Sequence, residues 1–357
     1  MTADNLSALR QAIDDIDDRI LDLLNQRASV VVEVGKAKAG QSKDFYVPSR
    51  ERAIYERLTA ANPGPFPSEA IRKVFREIIS ASLSLEQPMK VAFLGPQGTF
   101  THAAAMQQFG FSAQLMPQKS IPAIFEEVAR GRAPYGVVPV ENSTEGVVSH
   151  TLDMFMESEL KINAEIMLGI SHFLMSRSGR MTDIKKVVSH PQPLAQCRKW
   201  LEENLPDVPL VDVGSTALAA QMALEDESFG AIASEMAATL YGLQVVKERI
   251  EDNPNNFTRF LVIGTNTPER SGRDKTSLMF NIKDQPGILY RMLEPFSKRE
   301  INLSKIESRP MKKKAWEYIF FLDIEGHIDD EPITAAVTEL RDYCQFLKVL
   351  GSYPRAR

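Results

Sequence analysis

Arg27 and Lys38 stand 11 residues apart in a stretch of helical periodicity, which sets them about 16 Å apart along a helix axis and on nearly the same face. Long cationic side chains so spaced can reach toward each other and grip a small dianion. Arg10 precedes Arg27 by 17 residues, roughly 25 Å along the same axis and too far to join that ligand. If Arg10 binds substrate, it serves a site in another subunit, which requires a dimer of intertwined long helices. A second signal is "GPQGTFTHAA", Gly95 to Ala104, behind the apolar run Val91-Ala92-Phe93-Leu94. Glycines between a strand and a helix are how phosphate cradles are built. The stretch lacks both the Lys-Ser/Thr pair of a P-loop and the spacing of a dinucleotide fingerprint. What remains is a helix N-terminus capped by Thr99, a place for some anion.

Three kinds of element must position these residues. From about Leu6 to Glu86 the pattern is helical, with apolar positions at Leu6, Leu9, Ile13, Ile16, Ile20, Leu23 and Leu24. Gly40 interrupts it, Pro48 and Ser49 open a second helix, and "EAIRKVFREIISASLSLE" forms a third. So thin a bundle gains much by dimerising. From Val91 short apolar strands alternate with helices, the α/β signature. An internal repeat runs through this part. "GPQGTF" matches "HPQPLA", and Pro96 to Ser120 spans the same 24 positions as Pro191 to Ser215. Gly136 and Gly230 each lie five residues before a glutamate, Glu141 and Glu235. The repeat predicts two similar α/β lobes with a cleft between them, as in periplasmic-binding-protein-like folds. From Thr276 the order is βαββαβ, a ferredoxin-like arrangement. The expected domains are an all-helical bundle over residues 1–88, a two-lobed α/β domain over 89–270 and the ferredoxin-like domain over 271–357.

With 357 residues the chain has room for three cores, and 43% hydrophobic with 25% charged residues is ordinary for a globular protein. A net charge of −5 and the lack of a basic run argue against nucleic acid as a partner. No apolar stretch approaches membrane-spanning length, and "MTADNLSALRQAIDDIDD" is too acidic for a signal peptide, so a cytoplasmic location is expected. Cys197 and Cys344 read as free thiols. Five scattered histidines give no structural metal site. His102 and His190 are tempting as bases, but a lone histidine is more often structural.

Over residues 5–87, "LR…IDxID…LLxxR…VGKAK…RER" and an "EIIxxS" helix resemble the all-helical chorismate mutase family. The resemblance implies chorismate-binding roles for Arg10 (reaching the partner's site), Arg27, Lys38, Arg50, Glu51, Ser82 and Glu86. Val47 stands where an Asp often sits, and Glu86 where some members have Gln. The implied reaction is a pericyclic rearrangement of chorismate to prephenate, needing neither nucleophile nor base. Arginines would hold the two carboxylates in the folded conformer. Lys38 and Glu86 would donate to the ether oxygen as negative charge grows there. Glu86 can do so only if protonated, hence only if burial raises its pKa.

"GPQGTFTHAA", "VPVENSTEG", "SHPQPLAQC" and "NNFTRFLVI", in that order between Met89 and Gly264, resemble prephenate dehydratases. The anion at Thr99 is then expected to be a carboxylate of prephenate. The resemblance implies active-site roles for Thr99, Glu141, Asn142, Ser143, Ser189, Gln196, Thr258 and Arg259. Thr258 would assist departure of the ring hydroxyl, with Glu141 as a second candidate acid, and Arg259 suits a carboxylate grip. Plain alternatives exist: Thr99 and Ser189 as helix caps, Asn142 as a turn residue, and Arg259 as an internal ion-pair partner.

"DQPGILYRML" and "NLSKIESRP" resemble the ACT regulatory domain fused to prephenate dehydratases. Gly287 at a strand-to-helix turn lets a ligand approach the backbone closely. Asp284 to Leu289 (with Gly287 and Ile288) and Glu307, Ser308, Arg309 and Pro310 would frame an amino-acid site. Phenylalanine is the implied effector, and it inhibits only if it binds a low-activity state more tightly. Together the resemblances imply a homo-oligomer, at least a dimer, that uses no cofactor. Three alternatives stay open: a dehydratase acting on arogenate, a non-catalytic carboxylate-binding regulator, and a mutase segment kept only for dimerisation.

Overall fold

The computed structural model describes residues 3–38, 47–86, 89–282, 285–310 and 318–356. Residues 1–89 and 109–114 make one compact unit, and residues 90–108 and 115–357 another. The first is helical: α1 (Ala3–Lys38), α2 (Pro48–Ala60) and α3 (Ser68–Glu86). Pro48 opens α2 with its missing N–H at a position that needs none, and its ring is buried. Helices α1 and α2 both pack on α3. The apolar stripe of α1 is covered far less. Leu6, Leu9, Ile13, Ile16, Ile20 and Leu23 are each between 49% and 62% exposed. A 36-residue helix with half of its apolar face left exposed draws only part of its stability from packing on α3.

The second unit begins with β1 (Lys90–Leu94), α4 (Phe100–Phe109), β2 (Gln114–Gln118), α5 (Ile121–Ala129) and β3 (Tyr135–Asn142). It continues with β4 (Gly146–Val147), α6 (Ser149–Glu157) and β5 (Lys161–Gly169). A second lobe follows: β6 (Phe173–Ser176), β7 (Lys186–Ser189), α7 (Pro191–Gln196), α8 (Arg198–Asn204), β8 (Leu210–Asp212), α9 (Thr216–Glu225), β9 (Phe229–Ala233), α10 (Glu235–Tyr241) and β10 (Gln244–Lys247). The chain then returns to the first lobe as β11 (Phe257–Gly264). The first sheet runs β2-β1-β3-β11-β5 with β4 on β3, the second β10-β6-β9-β7-β8.

The duplication read in the sequence is present in this topology. β1 and β3 are parallel neighbours with β2 outside β1, and β7 and β9 are parallel neighbours with β8 outside β7. On the far side β11 runs antiparallel to β3 as β6 does to β9. Ser120 and Ser215 cap α5 and α9 in the same way, each accepting from the backbone N–H three residues on. Gly136 and Gly230 occupy equivalent strand positions where a Cβ would collide with Ile124 and Ile184. The match ends with the glutamates. Glu141 lies within β3, whereas β9 has stopped at Ala233 and Glu235 opens α10.

The last part is the expected βαββαβ order: β12 (Asp274–Ile282), α11 (Ile288–Ser297), β13 (Leu303–Pro310), β14 (Tyr318–Glu325), α12 (Glu331–Arg341) and β15 (Cys344–Pro354). Its antiparallel sheet has the order β13-β14-β12-β15. Leu278, Phe280, Phe320 and Leu322 pack with Met292, Phe296, Val337 and Leu340 of α11 and α12. The opposite face packs on the first lobe. Met279, Ile319, Phe321, Leu350 and Tyr353 share one apolar core with Ala92, Phe125, Val138, Phe155 and Leu261. Among the described residues no helix is long and apolar enough to cross a membrane, and no cluster of three or more metal-ligating side chains occurs. Cys197 and Cys344 are free, and burial pushes both thiol pKa values up.

Candidate active sites

In the helical unit, Arg27 reaches from α1 to α3, where its Nη1 donates to the Ser82 hydroxyl and, at 3.5 Å, to the Ile78 carbonyl. Ser82 donates in turn to that carbonyl at 2.6 Å. Burial and then the charge of Arg50 lower the pKa of Arg27. Two guanidinium groups close enough to repel each other form a site that an anion would stabilise. Among the carboxyls here Glu51 is strongly perturbed. Burial pushes its carboxyl up to about 7, against the lowering effects of the Tyr55 hydroxyl, 3.4 Å away, and of Arg72. The protonated carboxyl expected from the sequence is that of Glu86 instead. Arg10 is exposed on α1. The side chains of Lys38 and Glu86 lie outside the described residues, as does Asp284.

In the two-lobed domain the centre is a pair of facing residues on adjacent antiparallel strands. Thr258 of β11 is in register with Asn142 of β3, and Asn142 Nδ2 donates to Thr258 Oγ1 at 2.8 Å. The amide is held in that orientation because its Oδ1 accepts from the backbone N–H groups of Thr144 and Glu145 at 2.9 and 3.0 Å. The turn role and the site role of Asn142 are therefore one arrangement. Since Thr258 Oγ1 accepts from Asn142, its own proton is left to donate elsewhere.

The orientation propagates. Asn142 Nδ2 also donates to Asn256 Oδ1 at 2.8 Å, and Asn256 Nδ2 donates to Gln196 Oε1 at 3.1 Å. Gln196 Oε1 lies 2.7 Å from His172 Nε2, a contact that fits the tautomer protonated at this nitrogen. Burial lowers the pKa of His172 more than Gln196 raises it, which keeps the ring neutral. Gln196 Nε2 reaches back from the second lobe to Glu145 of the first at 3.3 Å. Asn256 and His172 were not singled out in the sequence. Asn256 lies inside the quoted "NNFTRFLVI" without a role assigned to it, and His172 lies outside every quoted motif.

The expectations for Arg259, Glu141 and Ser189 need correction. Arg259 and Glu141 are in register with each other, one residue along from Thr258 and Asn142. Successive strand residues point to opposite faces, so this second pair faces away from the first. Arg259 is 9% exposed and spends its guanidinium on Glu165 (2.8 Å), Asp323 (2.5 Å) and the Tyr353 hydroxyl (2.9 Å). Burial opposes its charge, yet Tyr353, Asp323 and Glu165 together raise its pKa. It is an internal ion-pair partner, not a free carboxylate grip. Glu141 pairs with Lys305 at 2.7 Å and is no acid beside Thr258. Ser189 is fully buried and donates to the Ile232 carbonyl at 2.6 Å. Thr99 caps α4 by accepting from the His102 N–H at 3.3 Å, and donates to the Leu94 and Pro96 carbonyls. Ser143 is exposed and joins β3 to the Phe257 N–H at 2.9 Å.

In the last domain Gly287 caps α11 at φ +78°, with open space where a Cβ would stand. Ile288 is buried and Leu289 exposed. Strand β13 divides the segment expected to act together. Ser308 is in register with Phe320 on the helix-bearing face and Pro310 shares its parity, whereas Glu307 and Arg309 turn toward the first lobe with Lys305. Arg309 lies 3.5 Å from Asp153 there, and its Nη1 is buried without a hydrogen-bond partner among the described residues.

Comparison with known proteins finds three family models in order along the chain. Residues 9–87 match the family model of chorismate mutase type II, residues 91–268 that of prephenate dehydratase and residues 276–342 that of the ACT domain. The chain is 52% identical to the bifunctional chorismate mutase/prephenate dehydratase of Aquifex aeolicus over 99% of both chains. It is 45% identical to that of Stutzerimonas stutzeri over 99% of both. The solved structure of prephenate dehydratase in complex with L-Phe from Arthrobacter aurescens is similar at TM-score 0.70 and 39% identity, covering 75% of this chain and 90% of that one.

Proposed function

The chain belongs to the family of bifunctional chorismate mutase/prephenate dehydratases, and from that premise we propose the following division of labour. Residues 1–88 rearrange chorismate to prephenate, residues 89–270 convert prephenate to phenylpyruvate, and residues 271–357 bind phenylalanine and restrain the second reaction. In the helical unit Arg27 and Arg50, with Ser82, receive the carboxylates, and Lys38 and Glu86 donate to the breaking ether bond. Arg10 completes the site of a second subunit, and the uncovered stripe of α1 is the surface that dimerisation buries.

In the dehydratase step the C–C bond to the ring carboxylate breaks and CO₂ leaves. Its electron pair enters the ring, and the ring hydroxyl departs from the opposite carbon. That hydroxyl leaves as water, the proton it gains coming from solvent. The Thr258 hydroxyl donates to it, aimed by the Asn142 amide behind it. A threonine hydroxyl is too weak an acid to be consumed outright, so its part is hydrogen-bond assistance while aromatisation drives the step. Ser143, Gln196 and the N-terminus of α4 at Thr99 are the remaining groups for the carboxylates.

The observation that carries this reading is the 2.8 Å hydrogen bond from an amide of fixed orientation to Thr258. Thr258→Ala should lower kcat for prephenate by roughly 10²-fold or more, the scale of a lost proton-transfer partner. Thr258→Ser should keep much of the activity, and the mutase rate of the same protein should not change. A Thr258→Ala enzyme with the wild-type dehydratase rate would contradict the assignment.

A further inference from the structure

Glu141 and Arg259 were turned away from the catalytic pair by strand parity, and both meet partners on the regulatory sheet. Glu141 pairs with Lys305 of β13 at 2.7 Å, and Arg259 with Asp323 of β14 at 2.5 Å. The partners match in register as well. Lys305 is opposite Asp323 in the regulatory sheet, just as Glu141 is opposite Arg259 in the dehydratase sheet. Four of the charges between the two sheets thus form a matched quartet, two from each, beside the buried Glu165–Lys275 pair that also joins them at 2.8 Å. Arg259 and Asp323 are 10% and 8% exposed along their side chains, so water screens that pair little, whereas in the Lys305–Glu141 pair Lys305 is 11% and Glu141 39% exposed. Each dehydratase member of the quartet is the chain neighbour of a catalytic-pair member: Glu141 of Asn142, Arg259 of Thr258.

We propose that Lys305 is a positioning residue for the dehydratase reaction, supplied by the regulatory domain. By holding Glu141, it fixes the end of β3 from which Asn142 aims Thr258. Lys305 also lies two residues before Glu307 on β13, the strand that carries the candidate effector segment to Pro310. A strand is stiff along its length, and any shift of β13 moves Lys305 with it. Effector binding around Ser308 and Pro310 therefore reaches Thr258 through this ion pair, with Asp323 and Arg259 bracing the neighbouring strand. The inference rests on the functional reading above.

The test uses the full-length chain with Lys305→Gln, Lys305→Met and Lys305→Arg, measuring dehydratase kcat and KM, phenylalanine inhibition and mutase rate. Lys305→Met retains the apolar stem that packs at the contact and so guards against simple loss of folding. In both neutral variants kcat should fall about tenfold with KM nearly unchanged, as expected for a misplaced catalytic group. The phenylalanine concentration for half-inhibition should rise about tenfold, a coupling of ordinary allosteric size. Lys305→Arg should restore most of both, and the mutase rate should stay at the wild-type value throughout. Neutral variants with wild-type kcat, or with wild-type sensitivity to phenylalanine, would overturn the proposal. So would variants that differ only in melting temperature, since the pair would then be structural. A wild-type chain that leaves prephenate untouched would overturn the functional reading itself, which separates the two failures.

Discussion

At the residue scale, one buried acid decides how the helical unit responds to pH. A carboxyl held at about 7 in the folded helical unit binds its proton more tightly there than in the unfolded chain. The sign follows directly: Glu51 costs nothing at low pH, its burial costs progressively more as pH rises from the ordinary carboxylate range to about 7, and the cost is constant above. If the protonated form also donates to chorismate, mutase activity should fall as pH rises through neutrality. Glu51→Gln, which donates at every pH, should flatten that limb. Glu86→Gln tests the competing expectation read from the sequence. Whichever substitution removes the neutral limb of the kcat/KM profile identifies the titrating donor. A limb that survives both would exclude the two carboxyls.

At the element scale, strand parity decides what "TRF" means. The motif was legible in the sequence, and so was the strand that holds it. The alternation that sends Thr258 one way and Arg259 the other was equally available from a period of two. It was obscured because neighbouring motif residues were read as one site. The lobes were more fully legible: Ser120 and Ser215, and Gly136 and Gly230, recur in register because each pair solves the same packing problem twice. Lys305 sat unweighted inside "NLSKIESRP", since a lysine's partner 164 residues away leaves no local trace.

The glycine repeat gives a prediction at this scale. A Cβ at Gly136 would stand 2.6 Å from Ile124 and 3.0 Å from Ile263, both fully buried. Gly136→Ala should therefore destabilise the dehydratase unit by about 1–3 kcal/mol, as overpacking does. Gly131, at φ +67° with nothing near it, should cost less when changed to Ala, because only backbone strain is involved. Denaturant titration of the two variants checks the order, and equal midpoints would contradict it.

At the scale of the whole molecule, the chain joins a helical unit whose longest helix leaves an apolar stripe exposed to a dehydratase domain sharing one apolar core with its regulator. Ile16→Asp places a charge in the uncovered stripe of α1. It should shift the protein toward smaller species in sedimentation and lower mutase activity at least tenfold, since Arg10 then has no partner site to enter, while dehydratase activity on added prephenate persists. Unchanged sedimentation with an intact mutase would remove the dimer from the account.

The most direct test of the central claim is to give the purified chain chorismate alone and follow prephenate and phenylpyruvate separately, with and without phenylalanine. Phenylpyruvate should form without any added cofactor, and phenylalanine should suppress it while prephenate accumulates instead. Chorismate left unconsumed, or phenylpyruvate formation indifferent to phenylalanine, would contradict the account.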